Sequence, residues 1–205
     1  MKISCIKVGK RFNRDWIFRN FTYEFIKDGH YAITGPNGSG KSTLLQVMAG
    51  AIVPSEGKIS YESGSQQLIS DDIFNYIAIA APYLEVIEEM TFIELLQFHQ
   101  IFKPFLPGVK VDDIVAIVGL QIAAHKQIRY YSSGMKQRVK LAQAIFSNTP
   151  CLLLDEPCTN LDDTGIKLYH QLIEDYCKNR LVIVSSNDVQ EYSFCDKEVN
   201  ILHYK

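Results

Sequence analysis

The residues Gly35-Pro36-Asn37-Gly38-Ser39-Gly40-Lys41-Ser42-Thr43 satisfy the pattern G-x-x-x-x-G-K-[ST], and the chemistry open to them is the holding of phosphate. Gly35, Gly38 and Gly40 let the backbone turn and aim its N–H groups inward, a nest for an anion at the start of a helix. Lys41 adds a point charge for β- and γ-phosphates, and Ser42 supplies a hydroxyl to Mg²⁺. Pro36, Asn37, Ser39 and Thr43 complete this P-loop and count with it as nucleotide-binding positions. A second segment, Cys151-Leu152-Leu153-Leu154-Asp155-Glu156, joins an apolar run to two carboxylates. The run reads as a buried strand, whose C-terminal end delivers both acids to the sheet edge where α/β proteins bind ligands. Asp155 suits Mg²⁺, directly or through water, and Glu156 suits a general base that orients the attacking water. Alone, a strand ending in Asp-Glu fits a helix cap equally well. Beside a P-loop the chemical reading is preferred.

These residues need elements to position them. Ile3–Val8, Phe21–Phe25 and His30–Thr34 read as strands, and Thr34 leads into the glycine-rich turn. The helix that follows buries Leu44, Leu45, Val47 and Met48 and is capped by Gly50. Pro54–Gly57 reads as a turn before a strand at Lys58–Tyr61, and Tyr76–Ala80 is the next strand, ended by Pro82. From Thr91 to Lys103 and from Val111 to Val118 the apolar residues recur at helical spacing. Pro82–Ser132 is therefore expected to be a helical insert. A long helix at Met135–Ser147, the strand at Cys151–Leu154, a helix at Thr164–Lys178 and strands at Leu181–Ser185 and Glu198–His203 complete the chain. The fold class is α/β: a P-loop core with a mostly parallel sheet, N-terminal antiparallel strands and a helical subdomain over about residues 82–132, within one domain spanning 1–205.

Composition narrows the function classes. The 205 residues are 47% hydrophobic and 21% charged, ordinary for a globular chain and wrong for a disordered one. With 21 Lys plus Arg against 23 Asp plus Glu the net charge is −2, so no nucleic-acid footprint is expected. Five scattered cysteines without a C-x-x-C pair argue against a disulfide framework or a zinc site. Met1–Arg11 contains no apolar signal region, and no stretch is long enough to span a bilayer, so a cytoplasmic location is expected.

A third motif lies between the other two: Tyr131-Ser132-Ser133-Gly134-Met135, followed by Lys136-Gln137-Arg138-Val139 and a helix. A serine hydroxyl and a glycine backbone at the start of a long helix make a second anion site. With it, the chain resembles the nucleotide-binding subunit of an ABC (ATP-binding cassette) transporter over nearly all of its length. Ser132 and Gly134 match the family signature Leu-Ser-Gly-Gly-Gln, whereas Tyr131, Ser133 and Met135 depart from it. The resemblance implies ATP and Mg²⁺ as ligands, ATP hydrolysis, and a homodimer or a pair with a homologous cassette, in which each signature faces the other copy's P-loop. It implies a separate integral-membrane permease, with this chain peripheral on the cytoplasmic face. Thr159-Asn160-Leu161-Asp162 matches the loop after the Asp-Glu strand, where Asp162 helps the two sites communicate or simply caps the next helix. Phe12 stands where the family stacks a ring on adenine, with Trp16 as the other candidate.

Two departures bear on rate and coupling. Asn187, in Ser185-Ser186-Asn187-Asp188, stands where the family has a histidine contacting the γ-phosphate. An asparagine donates a hydrogen bond but carries no charge and shuttles no proton, so a slow ATPase is expected. The loop Ala81-Pro82-Tyr83-Leu84-Glu85 has no glutamine where the family places one. Tyr83, Leu84, Val86, Ile87 and Met90 form either a groove for the membrane partner or plain core. The other readings weighed are a soluble single-cassette ATPase acting in assembly and a nucleotide-gated regulatory subunit with little turnover.

Overall fold

A computed structural model of the chain describes residues 1–205. The chain divides into two compact units. The first comprises Met1–Ile79, Pro150–Glu156 and Asn179–Lys205. It opens with β1 (Lys2–Phe12) and β2 (Asp15–Phe25), an antiparallel pair in which a register shift between Phe18 and Phe21 lets Phe18, Phe21 and Phe25 all lie inside. Then come β3 (His30–Thr34), α1 (Lys41–Met48), β4 (Glu56–Ser63) and β5 (Gln66–Leu68). A short 3₁₀ turn over Ser70–Asn75 leads into β6 (Ile77–Ala80). One sheet has the order β2-β1-β4-β5.

The other sheet has the order β6-β7-β8-β3-β9, built with β7 (Cys151–Asp155), β8 (Leu181–Ser185) and β9 (Lys197–Asn200). The pairs β7/β8, β3/β8 and β3/β9 run parallel. Every residue of β7 and β8 is buried, which is why both read as continuous apolar runs rather than alternating ones. Register aligns Asp155 with Ser185 and Ile33 with Ser185, so the C-terminal ends of β7, β8 and β3 meet at one edge.

The second unit comprises Ala80–Thr149 and Pro157–Lys178 and is helical. It holds α2 (Phe92–Phe102), α3 (Val111–Ile117), α4 (Ser133–Phe146) and α5 (Asp163–Tyr176). Thr91 and Glu94 close a capping box at the start of α2. The unit reaches beyond the helical insert expected at 82–132, because α4 and α5 pack within it. Leu106 N donates to Phe146 O at 2.8 Å, and the Phe146 and Tyr176 rings meet edge-on at 4.8 Å.

Three local expectations need correction. The final strand stops at Asn200, whose side chain accepts from Leu202 N at 2.9 Å and turns Ile201–Tyr204 into a 3₁₀ helix. Helix α1 is capped by Ala49, with Gly50 one residue further on at φ +74°. Glu56 and Gly57 belong to β4 rather than to the turn before it. The short α6 (Val189–Tyr192), β5 and the turn at Ser70–Asn75 carry too few residues for a periodic signal. No helix is long and apolar enough to cross a membrane.

Candidate nucleotide site

The P-loop spans the gap between the end of β3 and the start of α1. Gly40, the residue before α1, sits at φ +98°, and a Cβ there would fall 2.5 Å from Ile17 Cγ2. Both the backbone angle and the approach of Ile17 exclude a side chain. Ser39 N donates to Pro36 O at 3.1 Å, closing the turn. Ser39 Oγ is buried without a hydrogen-bond partner. Lys41 is buried, and its Nζ donates to Gly35 O (2.8 Å) and Pro36 O (3.2 Å), folded back onto the loop it would serve.

Asp155 ends β7 and is 1% exposed. Burial pushes its carboxyl above the usual value, opposed by the Ser42 hydroxyl and by the charge of Lys41. The Ser185 hydroxyl on the neighbouring strand also lies beside this carboxyl and favours its charged form. A buried carboxylate beside the Ser42 hydroxyl is an all-oxygen set of the kind a hard divalent cation takes, so Ser42 and Asp155 fit Mg²⁺.

Glu156 follows at φ +43°, an angle uncommon outside glycine, with its N–H bonded to Ser185 O at 2.9 Å. That turn brings Glu156 into one cleft with Asn37–Thr43 and Ile17, about 210 Å³ in volume. Asn187 lies at the same loop and its Nδ2 donates to Asn37 Oδ1 at 3.3 Å. The structure thus gathers Asn37–Thr43, Asp155, Glu156 and Asn187 around one place.

Phe12 is not among the cleft's lining residues. It is exposed at the end of β1, with the Lys10 ammonium 5.0 Å from its ring. Trp16 carries the Arg19 guanidinium at 4.4 Å and that of Arg11 at 5.6 Å. The hairpin residue that walls the cleft is Ile17, which sequence reasoning missed because it is one more apolar residue in a strand.

In the second unit, Ser132 caps α4, its Oγ accepting from Met135 N at 3.2 Å. Gly134 passes so close to the loop after Pro157 that a Cβ would lie 2.9 Å from Asn160 O. Asp162 caps α5 by accepting from Gly165 N at 2.8 Å, and Arg138 approaches the same carboxylate at 3.5 Å. Ser132, Gly134, Arg138 and Asp162 line a single cavity of about 530 Å³. Capping and a place at this cavity are therefore both true of Ser132 and Asp162. Tyr131, the departure at the head of the motif, is buried and donates its hydroxyl to Ala123 O at 2.7 Å. Tyr83, Leu84 and Ile87 are exposed and Val86 and Met90 half-buried, so this group is not core.

Residues 18–159 match the family model described as ABC transporter. The ABC transporter ATP-binding protein YybJ of Bacillus subtilis, itself uncharacterized, is 29% identical over 98% of this chain and 93% of its own length. The cytochrome c biogenesis ATP-binding export protein CcmA of Agrobacterium fabrum is 30% identical over 91% of this chain and 89% of its own. Among solved structures, an ABC transporter ATP-binding protein from Pyrococcus furiosus superposes with a TM-score of 0.83 over the whole of both chains, at 22% identity. A dimeric ATP-binding cassette bound to ADP and Pi superposes at 0.82, covering 97% of this chain and 94% of that one, at 21% identity. With three motifs on one α/β scaffold and a family match across most of its length, the chain belongs to the ABC transporter family as one of its ATP-binding cassettes.

Proposed function

We propose that the chain binds ATP with Mg²⁺ at its P-loop, hydrolyses it slowly as a dimer, and drives a separate membrane permease from the cytoplasmic face. Glu156 carries the reading: a left-handed backbone at a non-glycine residue costs about 1–2 kcal/mol, and here it aims a carboxylate at a phosphate-binding loop.

The P-loop N–H groups take the phosphates, and Lys41 gives up its bonds to Gly35 O and Pro36 O to reach the β- and γ-phosphates. Ser42 and Asp155 would hold Mg²⁺, which would supply charge neutralisation at the phosphate oxygens. Glu156 orients a water in line with the γ-phosphorus and accepts its proton as the bond to the β-phosphate oxygen breaks. Asn187 offers the γ-phosphate one neutral hydrogen bond, which makes turnover slow. Ser132 and Gly134 of one copy close on the nucleotide of the other, with Asp162 at the same cavity. Phe12 offers its exposed ring to the adenine from the hairpin. Tyr83, Leu84 and Ile87, with Phe98, Ile101 and Phe102 along α2, provide exposed apolar surface for the permease.

The test is a tagged Glu156→Gln pull-down with ATP from detergent-solubilised membranes of the source cell, beside ATPase assays of both forms. Recovery of a polytopic membrane protein, and turnover lost in the variant, is the expected result. Recovery of only soluble partners would move the chain to an assembly role. The bond between Asn187 and Asn37 favours a second reading, a nucleotide-gated subunit with negligible turnover. A residual rate that Glu156→Gln leaves unchanged would support it.

A further inference from the structure

Lys10 and Phe12 stand two residues apart near the end of β1, so their side chains leave the same face of the strand. The Lys10 ammonium lies over the Phe12 ring, 5.0 Å from its centroid, and donates to Val53 O at 2.9 Å. Both partners are neutral. A lysine at a strand end ordinarily keeps its ammonium in water and its rotamers free, whereas here a carbonyl and a ring face fix it between them.

The loop that offers the carbonyl is itself fastened to β1. Ser55 N donates to Gly9 O at 2.7 Å, and Arg11 N donates to Ser55 Oγ at 3.1 Å. Lys10 thus spans two pieces of backbone already joined and holds its charge against one ring. Phe12 is still 47% exposed, so with the ammonium over one face the other is open to a ligand. Its strand partner is Asp15, two residues before Ile17 of the cleft wall, a step of about 7 Å along β2. Trp16 is placed differently: it is half-buried against Gly9, whose added Cβ would fall 3.0 Å from its Cζ3, and two guanidiniums already attend its ring.

We infer that Lys10 is a positioning residue for base recognition, holding the Phe12 ring and drawing its π-electrons to the covered face so that the open face takes an electron-rich purine. The inference rests on the nucleotide reading above, in which Phe12 meets the adenine, and adds the residue that makes this ring a one-sided platform. The charge removes part of the repulsion between two stacked π faces. A cation over an exposed ring changes affinity by about two- to fivefold.

The test is equilibrium titration of the full chain, with Mg²⁺, by ADP and by inorganic pyrophosphate, which share their phosphates and differ in the nucleoside. The forms compared are the unaltered chain, Lys10→Gln, Lys10→Arg, Phe12→Ala and the double variant of Lys10→Gln with Phe12→Ala. Lys10→Gln can still donate to Val53 O but brings no cation to the ring, and Lys10→Arg brings both. Lys10→Gln is expected to weaken ADP by about two- to fivefold and leave pyrophosphate unchanged, Lys10→Arg to restore ADP, and the double variant to bind ADP no worse than Phe12→Ala alone. An equal loss for both ligands overturns the inference, because Lys10 then acts only as a distant charge. Unchanged ADP affinity in Lys10→Gln, where Phe12→Ala weakens it, overturns the role of Lys10 alone. Unchanged ADP affinity in Phe12→Ala removes the adenine from Phe12 and overturns the inference with it. Absence of ADP binding by the unaltered chain overturns the nucleotide reading as a whole.

Discussion

Asn187 donates its side-chain amide to that of Asn37 across 3.3 Å, so the second residue after β8 rests on the P-loop itself. A γ-phosphate bound at the P-loop would compete for the same Nδ2 donor. Asn187→His replaces that neutral donor with one that can carry charge, and the expected outcome is a rise in kcat of about tenfold, the worth of ~1.4 kcal/mol at the transition state. Steady-state ATPase assays from pH 6 to 8 check it, since the histidine adds a titration limb that asparagine lacks. An unchanged kcat would show that the asparagine is not what limits the rate.

Glu156 should separate activity from stability. Glu156→Gln is expected to lower kcat by about 10²–10⁴-fold while ATP still binds, the loss typical of removing a general base. Glu156→Gly is expected to lose activity as well, yet to melt higher, gaining about 1 kcal/mol as the φ +43° strain is relieved. Calorimetry alongside ATPase assays checks both. A glycine variant that melts lower would mean the side chain is structural.

Gly134 leaves no room for a methyl group. Its would-be Cβ sits 2.9 Å from Asn160 O, and that carbonyl is backbone. Gly134→Ala is expected to cost about 1–3 kcal/mol of stability and to weaken ATP-dependent dimerisation of the Glu156→Gln form. Thermal melts and gel filtration with ATP read the two effects separately.

Mild acid should loosen the helical unit through His99. Its Nε2 meets Ser147 Oγ at 2.8 Å and its ring stacks on Phe105. Burial, helped by Lys103, pushes its pKa down to about 4. The folded pKa lies below the unfolded one, so this stability is full above about pH 6.5 and is lost as pH falls towards 4. Discounted for partial exposure, the effect is about 1–2 kcal/mol. Urea denaturation from pH 7 to 4 should show the slope, and His99→Phe should flatten it.

The parts of the site that could be read in the sequence are those fixed over short stretches. Gly35–Thr43 and Cys151–Glu156 each bring their own strand end, so residue order alone places their side chains. Ile17 was not legible because the contact that matters is with Gly40, across a hairpin whose bulges set which residue faces the loop. The extent of the helical unit escaped for a similar reason. Periodicity shows that α4 and α5 are helices but not which neighbours they pack with. At Ile201–Tyr204 an apolar run resembled strand, and one side-chain bond from Asn200 decided otherwise. Ser132 and Asp162 were legible as caps, and only the fold shows that both also face one cavity.

Asp155 puts a buried carboxylate, whose charged form burial disfavours, at the C-terminal end of β7. Ligands that bind only the folded form raise stability by mass action, and a cation held beside Asp155 would also offset the cost of burying its charge. Proteases that act on transiently opened chains would therefore meet mostly the unloaded molecules. Cellular lifetime would then follow loading, with copies that idle without nucleotide cleared first.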